Sequence, residues 1–241
     1  MRLTYKLNRL LWIALDWIYP PVCAGCGKQN SRLCQECLDQ INKITAKQCV
    51  VCGNLISDTH THCHQCKKDT AYLSSISSWA EYHGPTRLAI LSLKYKQNIG
   101  LADTLSEFLI SLVSRKQMQI DLIIPIPLGR VRQKSRGFNQ SALLASPLSQ
   151  YFDIPMSNNA VQRIKETGSQ VDLTALERNI NMEGAFLGNS AKLRGRNVLL
   201  VDDIITTGAT MNHCAKAILE SGARCVHAIS VAKTIRTDTH P

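Results

Sequence analysis

Nowhere in the 241 residues is there an apolar run of 18, which excludes a membrane-spanning helix on length. Aromatic residues are scarce, at 5%, so stacking platforms are few. Acidic residues are absent between Leu122 and Phe152, while Arg130, Arg132, Lys134 and Arg136 crowd into seven positions of that stretch. Charged residues amount to 19% against 44% hydrophobic, which excludes wholesale disorder and allows a sizeable core. The formal charge of +10 favours an anionic partner: phosphate, nucleic acid or a membrane surface.

Cysteine is the residue in excess. Eight of the ten form four CxxC pairs, Cys23/Cys26, Cys34/Cys37, Cys49/Cys52 and Cys63/Cys66; Cys214 and Cys225 stand apart in apolar surroundings. Two thiolates on a tight knuckle can address one ion, so the pattern favours structural zinc over a disulfide-stapled secreted module. Cys-Ala-Gly-Cys-Gly27 and Cys-Val-Val-Cys-Gly53 repeat 26 residues apart, each followed by a plain CxxC. A glycine after the knuckle suits a positive φ. The expectation is two tandem ribbons, each with its own zinc; a cross-brace pairing alternate CxxC units stays open. His60, His62 and His64 read as solvated loop residues, since four thiolates already complete each site.

Arg2, Lys6 and Arg9 precede an apolar stretch, Leu10–Tyr19, that superficially resembles a signal peptide. Asp16 interrupts it, two Trp lie within it, and Pro20-Pro21-Val22 is no small-residue cleavage site. A reduced zinc module also points to the cytoplasm. Residues 1–22 therefore read as an amphipathic helix docking on the body or a partner, with a membrane-surface helix as the alternative. Residues 23–70 form the cysteine module, which needs metal to fold. From 71 to 241 strands alternate with amphipathic helices. Strands are expected at 75–82, 121–127, 197–201 and 224–231, and helices at 84–94, 101–116, 141–151 and 209–221. That order gives an α/β fold with a parallel sheet, whose ligands bind beyond the strand carboxyl ends.

The segment Val198-Leu-Leu-Val-Asp-Asp-Ile-Ile-Thr-Thr-Gly-Ala-Thr210 carries the most chemistry. An apolar strand delivers Asp202 and Asp203, and Thr206, Thr207, Gly208, Ala209 and Thr210 open a helix. A tight turn at a helix N-terminus presents backbone N–H groups and a positive dipole end, a seat for phosphate. Carboxylates accept from sugar hydroxyls beside it. Together they imply a sugar phosphate. The competing reading, an ordinary strand–loop–helix with two N-terminal charges, suits either half alone but not thirteen residues in order.

This stretch resembles the 5-phosphoribosyl-1-pyrophosphate (PRPP) motif of type I phosphoribosyltransferases. From Pro20 to about Lys233 the chain is similar to the ComF family, including its gluconate-operon relatives, in which a zinc ribbon precedes a phosphoribosyltransferase-like domain. Arg136-Gly-Phe-Asn-Gln140 matches the family, as do Arg163-Ile-Lys-Glu-Thr-Gly-Ser-Gln170, Glu177-Arg178 and Ala185-Phe186. Lys165 stands where Arg is usual, keeping the charge and losing the fork. The resemblance implies that Asp202 and Asp203 bind the ribose hydroxyls and Thr206–Thr210 the 5′-phosphate. It implies that a loop after Pro127 meets pyrophosphate, with Arg130, Arg132, Lys134 and Arg136 as candidates, and that 163–178 form a mobile cover bringing Arg163, Lys165 or Arg178 inward. Magnesium would arrive with PRPP.

Phosphoribosyl transfer needs a cationic clamp on the leaving pyrophosphate, acceptors beside a cationic sugar, and a dry lid. The sequence offers candidates for each, but no acceptor pocket. Met1 is followed by Arg2 rather than a nucleophilic cysteine, so no amidotransferase half is expected. The resemblance also implies a role in natural transformation, handling incoming single-stranded DNA, with DNA-uptake or recombination proteins as partners. Residues 23–70 carry a charge of +2 and 71–241 +6, which puts any DNA surface on the α/β body. Trp79, Tyr82, Tyr95 and Phe138 are candidate base-stacking residues or core. A non-catalytic PRPP sensor that engages a partner is the third reading.

Overall fold

The computed structural model describes residues 3–116, 118–165 and 182–235. Helix α1 (Leu3–Ile18) leads into the cysteine module, which includes a single-turn helix α2 (Gln35–Asp39). The body follows as β1 (Ser75–Glu81), α3 (Gly84–Tyr95), α4 (Leu101–Lys116), β2 (Leu122–Pro125), α5 (Arg130–Arg136) and α6 (Gln140–Phe152). A hairpin of β3 (Val161–Arg163) and β4 (Phe186–Gly188) comes next. It precedes α7 (Ser190–Leu193), β5 (Asn197–Ile205), α8 (Ala209–Glu220) and β6 (Cys225–Lys233).

Four strands form one parallel sheet in the order β1-β6-β5-β2. Parallel neighbours need crossovers, and amphipathic helices supply them on both faces. Side chains alternate across the pleat. Leu199 and Val201 join Ile123, Ile229 and Val231 against α3, α4 and α6. Val198 and Leu200 join Leu122, Ile124, Val226 and Ala228 against α8 and the β3–β4 hairpin. Each face thus buries a continuous apolar layer, the main favourable term in the fold.

Two differences from the sequence reading bear on function. The basic segment after Pro127 is a helix, α5, rather than a loop. Strand β5 runs on to Ile205, so Asp202 and Asp203 lie inside it rather than after it. Partner β2 stops at Pro125, opposite Val201, whereas β6 stays paired as far as Lys233 opposite Ile205. The last residues of β5 therefore border a crevice beyond the carboxyl end of β2, where parallel sheets place ligands. The hairpin β3–β4 carried no turn signal, because its strands are three residues long and far apart in sequence.

Candidate functional site

The eight CxxC cysteines gather as two separate sets, Cys23/Cys26/Cys34/Cys37 and Cys49/Cys52/Cys63/Cys66, with sulphurs within 4.8 Å of one another in each. The tandem arrangement is the observed one and the cross-brace is excluded. Sulphur separations are 3.7 Å for Cys23–Cys34 and Cys23–Cys37, 3.5 Å for Cys26–Cys34 and 3.6 Å for Cys52–Cys63. A tetrahedral zinc with Zn–S near 2.3 Å sets its ligands roughly 3.8 Å apart, whereas a disulfide needs about 2.05 Å. Gly27 and Gly53 take φ of 81° and 76° at the two knuckles, as expected. A hydrogen bond from Cys52 pulls Cys49 down to about 4, while that same contact pushes Cys52 up and burial raises Cys66. A divalent cation removes this conflict by letting all four ionise. Both sets fit structural zinc. His60 and His62 bond to Ser57, Thr59 and Thr61, outside either set.

At the crevice, Ser141 at the start of α6 donates its hydroxyl to Asp202 Oδ1 at 2.7 Å, and the Asp203 amide donates to the same oxygen at 2.9 Å. Asp203 shares the pleat face of Val201, toward α3, and Lys94 Nζ lies 2.5 Å from its Oδ2 as an ion pair. Asp203 is buried, Asp202 half-buried. Burial and the adjacent Asp203 charge push Asp202 up to about 7. Lys94 is held above its ordinary value: burial opposes the charge, but Asp203 more than compensates.

The helix divides the basic quartet. Positions four apart share a helical face, so Arg132 lies with Arg136, and Arg130 with Lys134. Arg132 and Arg136 line a cavity of about 420 Å³ together with Lys94, Tyr95, Gln97 and Ser135. The Arg136 guanidinium lies 5.2 Å above the Tyr95 ring. Gly137, at φ 78°, ends α5, and Asn139 then caps α6 by accepting from the Ser141 amide while donating to the Ile126 carbonyl. The Arg-Gly-Phe-Asn-Gln motif is thus the joint that sets Ser141 against Asp202. Next to it, the buried Gln140 Oε1 has no hydrogen-bond partner among the described residues.

On the far side of the twin carboxylates, Thr206–Gly208 turn into α8 through Gly208 at φ 81°, and Thr207 Oγ1 accepts from the Ala209 amide at 3.4 Å. Lys233, fully buried at the end of β6, donates to the Thr206 carbonyl at 2.7 Å and holds the turn from beneath. The second ribbon packs directly on top. A Cβ at Gly208 would stand 2.3 Å from the Val51 carbonyl oxygen and 2.7 Å from Cys52 Cα. Asn212 of α8 accepts from the Tyr72 amide and donates to the Thr70 carbonyl. Gln48 bridges Gly53 to Ser78 of β1. A second cavity of about 420 Å³ lies between turn and ribbon, lined by Cys52, Asn54, Asp69, Thr206, Thr207 and Asn212 among others.

Arg163 and Lys165 lie at the base of the expected cover. Arg163 stands 5.9 Å from the Phe186 ring centre, and Lys165 Nζ donates to the Glu183 carbonyl. Arg178 and the rest of 166–181 lie outside the described residues. Of the stacking candidates, Trp79 is core, stacked on Phe108 at 3.8 Å, whereas Tyr95 is 68% exposed. Sequence reasoning missed Lys94, Ser141 and Lys233. None belongs to a spacing motif; each acquires its role only when the sheet brings distant segments together.

The double zinc ribbon domain family matches residues 14–67, and the phosphoribosyl transferase domain family matches residues 139–240. Competence protein F of Haemophilus influenzae is 33% identical over 83% of this chain and 90% of its own length. The DNA utilization protein YhgH of Escherichia coli is 32% identical over 91% of this chain and 92% of its own. Competence protein ComFC of Bacillus subtilis is 28% identical over 81% of each.

Proposed function

We propose a function from one premise: this chain belongs to the ComF family. In this reading it binds PRPP and transfers the phosphoribosyl group to an acceptor, releasing pyrophosphate. What supports it most is one arrangement, in which β5 carries Asp202 and Asp203 past the edge of β2 into the Thr206–Thr210 turn that opens α8. The 5′-phosphate would sit on the turn's amides and the Thr206, Thr207 and Thr210 hydroxyls, with Gly208 and Ala209 providing close backbone approach. Asp202, half-buried and already oriented by Ser141, would accept from a ribose hydroxyl. Asp203 would reach the sugar by exchanging Lys94, which frees that ammonium for the pyrophosphate. Arg132 and Arg136 share Lys94's cavity and would form the rest of the clamp. Arg130 and Lys134, on the opposite face of α5, stand second in line.

During transfer the C1–oxygen bond to pyrophosphate breaks and a bond from the acceptor to C1 forms. Negative charge grows on the departing oxygens, where Lys94, Arg132 and Arg136 would stabilise it. Positive charge grows on the ring, beside Asp202. Magnesium, as part of the bound PRPP, supplies further neutralisation of the pyrophosphate. Arg163, Lys165 and Arg178 would approach from the cover. The working division is a helix at 1–22, a double zinc ribbon at 23–70 and a transferase-type domain at 71–241, in a cytoplasmic protein.

The relatives' names, competence protein F and DNA utilization protein, support a role in handling single-stranded DNA during natural transformation. A non-catalytic adaptor that senses PRPP and binds single strands is the second reading. The exposed Tyr95 under Arg136 favours it, as a stacking platform beside a cationic face. Pyrophosphate release from PRPP, assayed with nucleobases, amines and single-stranded DNA as acceptors, separates the two. Release that disappears in Asp202→Asn supports transfer. PRPP binding without release from any acceptor, together with salt-dependent DNA binding lost in Tyr95→Ala, supports the adaptor.

A further inference from the structure

Helix α1 is mounted with its polar side inward. Tyr5, Arg9, Trp12 and Asp16 fall on one stripe, at i, i+4, i+7 and i+11. Tyr5 is buried, its ring edge-on to Tyr151 at 5.4 Å. Arg9 pairs with Glu107 of α4 at 3.0 Å. Arg32 of the first ribbon grips Asp16 through both guanidinium nitrogens, at 2.5 and 2.6 Å, and lies 4.9 Å above the Trp12 ring. The body and the first ribbon therefore already occupy the side of α1 that bears Arg9 and Asp16.

The opposite side faces solvent. Leu7 is 51% exposed, Leu10 60%, Leu11 64%, Leu15 45%, Trp17 86% and Ile18 69%. At 100° per residue these six span roughly 160° of the helix circumference, an arc that also takes in the positions of Leu3, Thr4 and Ala14. An apolar face of this width exceeds the isolated surface leucine that needs no explanation. The sequence pattern led us to expect a helix docked on the body or a partner, or lying on a membrane surface; the ion pairs of Arg9 and Asp16 turn its apolar face outward.

We propose that this outward face is a membrane-surface anchor that seats on anionic phospholipid. At about 1.5 Å per residue the sixteen-residue helix is about 24 Å long, too short to span a hydrocarbon core of about 30 Å but suited to lying in the interface. A wide arc is what half-immersion buries; a helix-pairing seam uses a narrower stripe. Trp17 and the 76%-exposed Tyr19 mark one end, as amphipathic rings do at headgroup level. Exposed Lys6 borders the arc, and the chain's charge of +10 complements an anionic leaflet. The ribbon and body lie on the helix's other side, so neither obstructs the surface.

The test is cosedimentation of the full-length, zinc-loaded protein with phosphatidylcholine vesicles, with and without phosphatidylglycerol. The wild type should partition onto the phosphatidylglycerol vesicles more strongly than onto the neutral ones. Leu10→Gln/Leu11→Gln, both at exposed positions, should fold normally and lose roughly tenfold or more of that partitioning, since two apolar side chains are withdrawn from the buried arc. Vesicle-induced blue shift of tryptophan emission should persist in wild type and fall in Trp17→Phe. Absence of wild-type partitioning overturns the proposal, as does partitioning indifferent to the leucine pair. A wild-type dimer that the leucine pair dissociates, with no vesicle binding, would assign the face to a second copy instead.

Discussion

Gly208→Ala concentrates the logic of the site into one methyl group. Two effects act at that position. The first is conformational: φ of 81° disfavours any residue with a Cβ, by about 1–2 kcal/mol. The second is steric: the new Cβ would lie 2.3 Å from the Val51 carbonyl oxygen, 2.7 Å from Cys52 Cα and 3.1 Å from the Val51 carbonyl carbon. These are backbone atoms of a zinc knuckle, so relief requires moving the ribbon or the turn. Overpacking of this kind adds about 1–3 kcal/mol. Gly195→Ala is the matched control, because its φ of 71° imposes the first effect while none of the described residues lies within 4 Å of its Cβ. Denaturant unfolding should show Gly208→Ala less stable than Gly195→Ala by about 1–3 kcal/mol. Chelator-driven zinc loss should accelerate for one of two ions per chain in Gly208→Ala and for neither in Gly195→Ala, because of these two glycines Gly208 alone abuts a zinc knuckle. PRPP affinity should fall in Gly208→Ala. Equal stability and equal zinc retention in the two variants would refute the claim that the second ribbon rests on the phosphate turn.

Metal analysis should return two zinc ions per chain, and Cys52→Ser should leave one; a single ion in the wild type would refute the paired-cluster geometry. Lys94→Met strands the buried Asp203 carboxylate and should destabilise by about 3 kcal/mol, with most of the loss recovered in Lys94→Met/Asp203→Asn. Asp202 is raised to about 7 in the folded protein, so between its unfolded value near 4 and that point the folded state holds the extra proton. Its contribution to stability is therefore present below about pH 4 and lost as pH rises toward 7, and Asp202→Asn should flatten that slope. PRPP affinity should rise as pH passes through about 7, because the ionised carboxylate is the better acceptor for a ribose hydroxyl; an unchanged affinity from pH 6 to 8 would contradict the assignment.

Much of this was legible in the chain because the signals are local. CxxC spacing with trailing glycines pointed to the knuckles, and short continuous apolar strands between 3.6-period helices pointed to the parallel sheet. What escaped is non-local or depends on a boundary. Strand β5 reads as ending at Val201 because Asp202 and Asp203 break the apolar run, yet pairing with β6 carries it to Ile205. The resemblance implies a loop at Arg130–Arg136, yet the segment winds into a helix between Gly129 and Gly137. That winding separates Arg130 and Lys134 from Arg132 and Arg136. The contact of Val51 with Gly208 joins residues more than 150 positions apart, and no spacing rule reaches so far. The orientation of α1 depends on Glu107 and Arg32, both outside the helix.

A crystal grown with PRPP and magnesium tests the central claim most directly. The 5′-phosphate should lie on the backbone amides of Thr206–Thr210, with a ribose hydroxyl within hydrogen-bond distance of Asp202 and the pyrophosphate toward Lys94, Arg132 and Arg136. Density for the sugar phosphate elsewhere, or a turn left empty while Asp202 still faces Ser141 alone, would contradict it.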